Sequence, residues 1–256
     1  MKVLCVIPAR MGATRYPGKP MEPILGMPMV GHVYKRAILS KLVSETYVAT
    51  CDQVIYDYIK SIGGKVVMTS DKHKRCTERV SEALLKIEEF EKTRYEVVLL
   101  VQGDEPMVTP TMIDASLKGM QQNPTAEVIN LASKIESRED VLDPNTIKVV
   151  FDKNWNALYF SRSPIPYLRD GAKHTWYKQV CIMPFKRDFL LQFDQLPETA
   201  LEVIESIDMQ RILEHGKEVK LVECNEKTQA VDTPADLKKV EGFLRTDAYL
   251  PTYLKL

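Results

Sequence analysis

From Val3 to Val101 the sequence alternates between short runs suited to buried strands and longer runs with helical spacing, and this alternation restricts the fold more than any other feature. "KVLCVI" is an apolar strand, "MPMVGHVYKRAILSK" carries Met29, Val33, Ala37 and Leu39 near a 3.6-residue period, and "TYVAT" is a strand again. "QVIYDYIKSIG" reads as a helix stopping at Gly63 and Gly64, followed by the strand "KVVMT", the helix "TERVSEALLKIEEF" and the strand "EVVLLV". Strands joined through helices return in the same direction by right-handed crossovers, so this order predicts an α/β fold with a doubly wound sheet. Ligands of such sheets sit beyond the C-terminal strand ends.

Beyond Val101 the pattern changes. "EVINLASKI", "TIKVVFD", "NALYFS" and "YKQVCIMPF" read as strands of a mixed or antiparallel region, followed by helices over "LEVIESIDMQRILEHG" and "PADLKKVEGFL", the second with Thr233 as N-cap and Pro234 at its first position. No repeat, low-complexity tract or linker divides the chain, so a single domain is expected over residues 1–256. A 45% hydrophobic content supports a real core. Thirty-five basic residues balance thirty-five acidic ones, which removes the electrostatic argument for nucleic-acid or membrane partners; any anion site must be local. The apolar run from Val3 to Pro8 is too short for a signal peptide, and nothing approaches the roughly 18 to 20 residues of a membrane helix, so a cytoplasmic location is expected. Five cysteines, an odd number without C-x-x-C spacing, point to neither a disulfide framework nor a zinc site.

Three loops carry the chemistry. "IPARMGATRYPGKP" leaves the first strand with Arg10, Arg15 and Lys19, and with Gly12 and Gly18 for backbone freedom. Phosphates are held by glycine-permitted backbone N–H groups, arginine forks and a lysine point charge, and this loop offers all three, although it is neither a Walker loop nor a G-x-G-x-x-G turn. A plain exposed loop with solvated charges is the alternative. In "VQGDEP" Asp104 ends a buried strand, a common way to hold Mg²⁺ against polyphosphate, or else it caps the next turn. In "AVDTPADL" Asp232 supplies a second carboxylate or merely opens a helix. The two aspartates inform only if the fold brings them together.

"IPARMGATRYPGKPMEPILGMPMVGHVYKRA", "VVMTSDKH", "TERVSEAL", "VQGDEPMV", "LYFSRSPIP", "LEVIESIDMQR" and "VDTPADLKKVE" resemble, in order and spacing, the CMP-KDO synthetases, the 3-deoxy-manno-octulosonate cytidylyltransferases, from Val3 to about Leu244. The signature P-A-R-x-x-x-[ST]-R-x-P-G-K-P stands from Pro8 to Pro20. The resemblance implies a Rossmann-like nucleotidyltransferase fold with a mixed sheet and a smaller sugar-binding and dimerisation subregion. It also implies CTP, Mg²⁺ and a homodimer. The nucleotide side would lie mainly in residues 1–110 and 225–245, the acceptor and dimer region in about 125–215. The reaction implied is attack of an acidic sugar's anomeric hydroxyl on the α-phosphorus of CTP, giving CMP-sugar and pyrophosphate. By the same resemblance Arg10, Thr14 and Lys19 bind triphosphate, with Pro8, Ala9, Arg15, Thr77 and Arg79 also on the nucleotide side. Gln102 and Asp104 meet cytidine and metal, and Asp232 completes the metal site; Lys19, Arg10 and Asp104 are the expected catalytic residues.

The acceptor side departs from the family. Members usually carry Ser-Gly-Thr-[DE]-Arg where this chain has "KRCTER", so Lys74, Arg75 and Cys76 bring bulk and charge while Thr77, Glu78 and Arg79 stay. Gln179, Cys181 and Met183 stand where a Y-[RK]-H-x-G-x-Y segment has His, Gly and Tyr, and Met209 stands in place of Gln in Glu-Gln-Leu-Arg. A site built to hydrogen-bond a substrate rejects analogues that leave its groups unpaired, so these changes alter which hydroxyls are read. Arg162, Lys74 and Arg75 favour an anionic acceptor. KDO, a related 3-deoxy-ulosonic acid and another acidic acceptor such as a phosphonate all stay open at this point. A nucleotide-binding module without turnover is the reading from another class; two metal carboxylates argue against it. His32 reads as structural, and His73, His174 and His215 form no metal-ligand pattern.

Overall fold

Strands that are apolar on both faces need cover on both sides, and the computed structural model, which describes residues 1–12 and 16–255, puts them in the middle of a parallel sheet. The contacts divide the chain into two compact units. The first, Met1–Asp114 with Lys227–Leu256, holds β1 (Val3–Pro8), the two-residue strands β2 (Pro23–Ile24) and β3 (Met27–Pro28), α1 (Met29–Ala37), β4 (Glu45–Thr50), α2 (Gln53–Ser61), β5 (Val66–Met68), α3 (Cys76–Glu91) and β6 (Val97–Val101). Every residue of β1 and β6 is buried. The spatial order β6-β1-β4-β5 is parallel throughout, with Val3 opposite Val97 and Leu4 opposite Glu45. The doubly wound α/β fold expected from the alternation is therefore present, and the loops after β1, β4 and β6 all open at one sheet edge.

Local chemistry sets the element ends. Helix α2 stops before Gly63, whose φ of +74° favours glycine, and a Cβ on Gly64 would lie 2.6 Å from the Ile59 side chain. In α9 (Pro234–Leu244) Thr233 is the N-cap, as expected: its hydroxyl accepts from the Asp236 N–H at 3.3 Å, and the Asp236 carboxylate accepts in return from the Thr233 N–H at 2.9 Å.

A hydrophobic cluster of Ile24, Met29, Met107, Val231, Val240 and Leu244 joins the β2–β3 hairpin, α1, the segment after β6 and α9. Each such side chain contributes about 1.5–3 kcal/mol on burial, and together they hold the C-terminal segment against the exit of β6. The remaining C-terminal residues strap α1. Asp247 takes the fully buried Arg36 guanidinium at 2.7 and 3.1 Å, while His32 meets the Tyr253 hydroxyl at 2.9 Å and the Ile24 carbonyl at 2.8 Å.

Helix α4 (Pro110–Gln122) contains the boundary between the units. The second unit, Ala115–Glu226, holds β7 (Ile129–Lys134), α5 (Arg138–Leu142), β8 (Lys148–Phe151), β9 (Ala157–Ser161), β10 (Tyr177–Val180), β11 (Ile182–Lys186), α6 (Arg187–Gln195), α7 (Ala200–Glu205), α8 (Asp208–Glu214) and β12 (Lys220–Cys224). Its sheet runs β12-β7-β10-β8-β9, parallel at β12–β7 and antiparallel elsewhere, the mixed region expected. Two expectations need correction. "YKQVCIMPF" is not one strand but β10 and β11, divided at Cys181. The helix expected over "LEVIESIDMQRILEHG" is broken into α7 and α8 at Ser206, whose φ is +53°. The break follows from pairing: the Glu205 carboxylate accepts from the Ser161 hydroxyl at 2.8 Å and the Arg162 N–H at 2.9 Å, and the Glu205 carbonyl accepts from Arg162 Nε at 2.6 Å. Among the described residues no helix is long and apolar enough to cross a membrane.

Candidate active site

Of the residues expected on the nucleotide side, Pro8, Ala9, Gln102 and Asp104 lie where β1 and β6 end. Pro8 and Ala9 are buried at the exit of β1, with the Ala9 N–H bonded to the Ala49 carbonyl at 2.9 Å. Gly103 follows β6 with Gln102 half-buried beside it; a Cβ there would lie 2.8 Å from the Pro8 carbonyl, so only glycine lets this turn pass so close to β1. Asp104 comes next, and its carbonyl accepts from the Val231 N–H at 2.9 Å, which sets the segment carrying Asp232 alongside.

Lys19 lies between the two aspartates. Its Nζ is 2.6 Å from Asp104 Oδ2, 3.3 Å from Asp232 Oδ1 and 2.9 Å from the Val231 carbonyl. Burial disfavours the ammonium, but Asp104 and then Asp232 outweigh it and hold the Lys19 pKa above its usual value. The lysine is therefore charged at neutral pH, and its charge offsets the repulsion between the carboxylates. Two carboxylates converging on one cation form a hard-oxygen donor set, of the number that Mg²⁺ takes when waters and phosphate oxygens complete its shell. The residues present thus fit that ion.

Arg10 is exposed and donates from Nη1 to the His73 carbonyl at 3.2 Å, which ties the first loop to the loop before α3. Thr14 and Arg15 lie outside the described residues. Thr77 and Arg79 are buried in α3; Arg79 Nη1 donates to the Thr69 hydroxyl and, at 3.0 Å, to the Ser70 carbonyl. Arg79 Nη2 is buried and makes no hydrogen bond among the described residues, a donor suited to a polar ligand atom.

Of the residues expected on the acceptor side, Lys74 and Arg75 belong to the first unit and Arg162, Gln179, Met183 and Met209 to the second. Lys74 is exposed and Arg75 half-buried at the start of α3, where the Glu78 carboxylate accepts their N–H groups at 2.8 and 3.2 Å. In the second unit Gln179 of β10 touches Met183 of β11 through Nε2 and Sδ, 3.8 Å apart, and Met209 is buried in α8. Arg162 is largely occupied locally, donating to the carbonyls of Glu205 at 2.6 Å, Pro144 at 2.9 Å and Ser206 at 3.3 Å. Nothing in the structure explains Cys181.

Several supporting residues escape a sequence reading. Asp52, just past β4, accepts the Met11 N–H at 2.8 Å and so fixes the entry to the first loop. An acidic residue ending a third parallel strand was the available signal. Glu82 of α3 accepts the Ser70 N–H at 2.8 Å, pairs with His73, and holds the loop that meets Arg10. Partial burial would raise its pKa, but Lys86, the Ser70 N–H and His73 outweigh this and lower it from 4.5 to about 2. Lys148 has its ammonium buried against the carbonyls of Asp143 at 2.9 Å, Thr146 at 2.7 Å and Arg162; burial pushes its pKa down.

Comparison with known proteins adds an independent line. The model of the family described as cytidylyltransferase matches residues 4–227. The 3-deoxy-manno-octulosonate cytidylyltransferase of Geobacter sulfurreducens is 41% identical over 251 residues, covering 94% of this chain and 98% of that protein. The enzyme of the same description from Escherichia coli is 39% identical over 243 residues, covering 95% and 96%. Among solved structures, a CMP:2-keto-3-deoxy-manno-octonic acid synthetase complexed with CTP has a TM-score of 0.86 at 39% identity, over 96% of this chain and 99% of that one. A 4-diphosphocytidyl-2C-methyl-D-erythritol synthase from Anaerococcus prevotii, with a TM-score of 0.62 at 14% identity over 95% and 98%, is a likeness of fold alone.

Proposed function

Because this chain belongs to the cytidylyltransferase family, and within it to the CMP-KDO synthetases, we propose that it transfers CMP from CTP to 3-deoxy-manno-octulosonate, releasing pyrophosphate with Mg²⁺ as cofactor. The observation that carries the mechanism is the convergence of Asp104 and Asp232 on the Lys19 ammonium beside the exit of β6.

Attack of the anomeric hydroxyl on the α-phosphorus builds negative charge on the equatorial oxygens and on the departing pyrophosphate. Groups that meet this charge more strongly in the transition state than in the ground state accelerate the step. Bound Mg²⁺ supplies charge neutralisation and alignment of the phosphates, and Asp104 and Asp232 are the residues that would hold it. Lys19 keeps the two carboxylates adjacent and adds a permanent positive charge near the phosphates. Arg10, steadied by the His73 carbonyl, presents an exposed guanidinium from the loop that follows β1. No side chain needs to form a covalent intermediate, and none of the cysteines is required.

Family membership favours the ulosonic acid as acceptor. The engagement of Arg162 with backbone carbonyls leaves the charge argument for a phosphonate mainly to Lys74 and Arg75. A homodimer is the assembly we propose; the exposed apolar side chains Leu142, Leu158, Tyr167, Val203 and Ile204 of the second unit support it. A reaction that consumes CTP belongs in the cytoplasm, where CTP is made. The reading is tested by incubating the protein with CTP, Mg²⁺ and KDO and identifying the product by mass: CMP-KDO is expected, and CTP left intact beside KDO would contradict it.

A further inference from the structure

Asn130 of β7 is fully buried, and both hydrogens of its Nδ2 have takers: the Leu131 carbonyl at 2.6 Å and the Val180 carbonyl at 3.0 Å. Backbone carbonyls can only accept, so the orientation of this amide is fixed, with Oδ1 facing the other way. Asn130 Oδ1 lies 2.7 Å from Gln179 Nε2, and Met183 Sδ lies 3.8 Å from the same nitrogen. Gln179 must therefore also present its NH2 inward, to one strong and one weak acceptor. Among the described residues its Oε1 makes no hydrogen bond, although the side chain is half-buried.

We infer that Gln179, with its amide polarity locked by Asn130 and Met183, is a specificity residue that reads a hydrogen-bond donor, a hydroxyl or an amine, on the acceptor substrate. The inference rests on the proposed function in one respect: that β10 borders the acceptor. Asn130 acts through Gln179 and is a positioning residue. A freely rotating glutamine accepts or donates as the substrate requires; a locked one only accepts, and it rejects groups that cannot donate. Met183 belongs to the same device, because a thioether takes the second Nε2 hydrogen without offering one of its own. The two departures at Gln179 and Met183 thus work as a pair.

The test uses KDO, its monodeoxy analogues and the matching deoxyfluoro analogues, which accept weakly and do not donate. Pyrophosphate release is read as kcat/KM for each acceptor and KM for CTP. With the wild-type protein, one position should show a loss of about tenfold for both the deoxy and the fluoro compound. Gln179→Leu should remove discrimination at that position while leaving the KM for CTP unchanged. Asn130→Ala should narrow the gap between hydroxyl and fluoro to within about threefold, since the freed amide turns its NH2 outward; a purely structural role would lower all acceptors equally. Should Asn130→Ala fail to fold, Gln179→Leu decides alone. Unaltered discrimination in Gln179→Leu overturns the inference and leaves CMP transfer standing. A wild-type protein that does not use KDO at all overturns the functional reading, and the inference with it.

Discussion

Asp104, Asp232 and Lys19 are separated by long stretches of sequence, yet they share one set of short contacts. Lys19 in the basic loop, Asp104 at a strand end and Asp232 before a helix start were each candidates from sequence; that they meet was not legible, because it depends on how Val231 docks on Asp104. Replacing Asp104 with Asn keeps the shape and removes the charge, so kcat should fall by at least about 10²-fold with little change in melting temperature. Glu82 was legible only in part: Lys86 stands four residues further along the same helix and pairs with it at 2.7 Å, but its other partners, a loop N–H and a histidine, follow no spacing rule. Its folded pKa is depressed from 4.5 to about 2, so its stabilising contribution is present above pH 4.5 and is lost as the pH falls toward 2. Glu82→Gln should flatten the acid limb of the stability–pH profile in that window, as read by chemical denaturation at stepped pH.

The elements of the first unit were largely legible, since buried parallel strands and amphipathic helices write their periods directly into the sequence. The second unit was less so. The stretch from Leu201 to Gly216 keeps a helical pattern through its break, because what interrupts it, the pairing of Glu205 with Ser161 and Arg162, comes from a distant strand. Loop elements lean on single bonds that can be tested. Asp52 holds the Met11 N–H, and Asp52→Ala should raise the KM for CTP about tenfold by loosening the phosphate loop, with kcat less affected. The C-terminal strap depends on Asp247, without which the buried Arg36 loses its carboxylate partner. Asp247→Ala should cost about 3 kcal/mol, seen as a lower urea midpoint at an unchanged slope.

For the whole molecule, a formal charge of zero gives no surface-wide attraction for anions, so any anion site must be local. The chain divides into two compact units, Met1–Asp114 with Lys227–Leu256 and Ala115–Glu226. If the protein is a homodimer, sedimentation equilibrium should give about twice the chain mass of 29.3 kDa, and Ile204→Glu, at an exposed apolar position, should shift it toward the monomer without loss of secondary structure. The central claim is that two aspartates and a lysine at the strand ends support metal-dependent CMP transfer. Its most direct test is pyrophosphate release from CTP and KDO, comparing wild type with Asp104→Asn in Mg²⁺ and in chelator. Release that needs both substrates, stops in chelator and falls at least about 10²-fold in the folded variant is the expected result; release that persists in chelator, or a folded Asp104→Asn protein with full activity, would contradict the account.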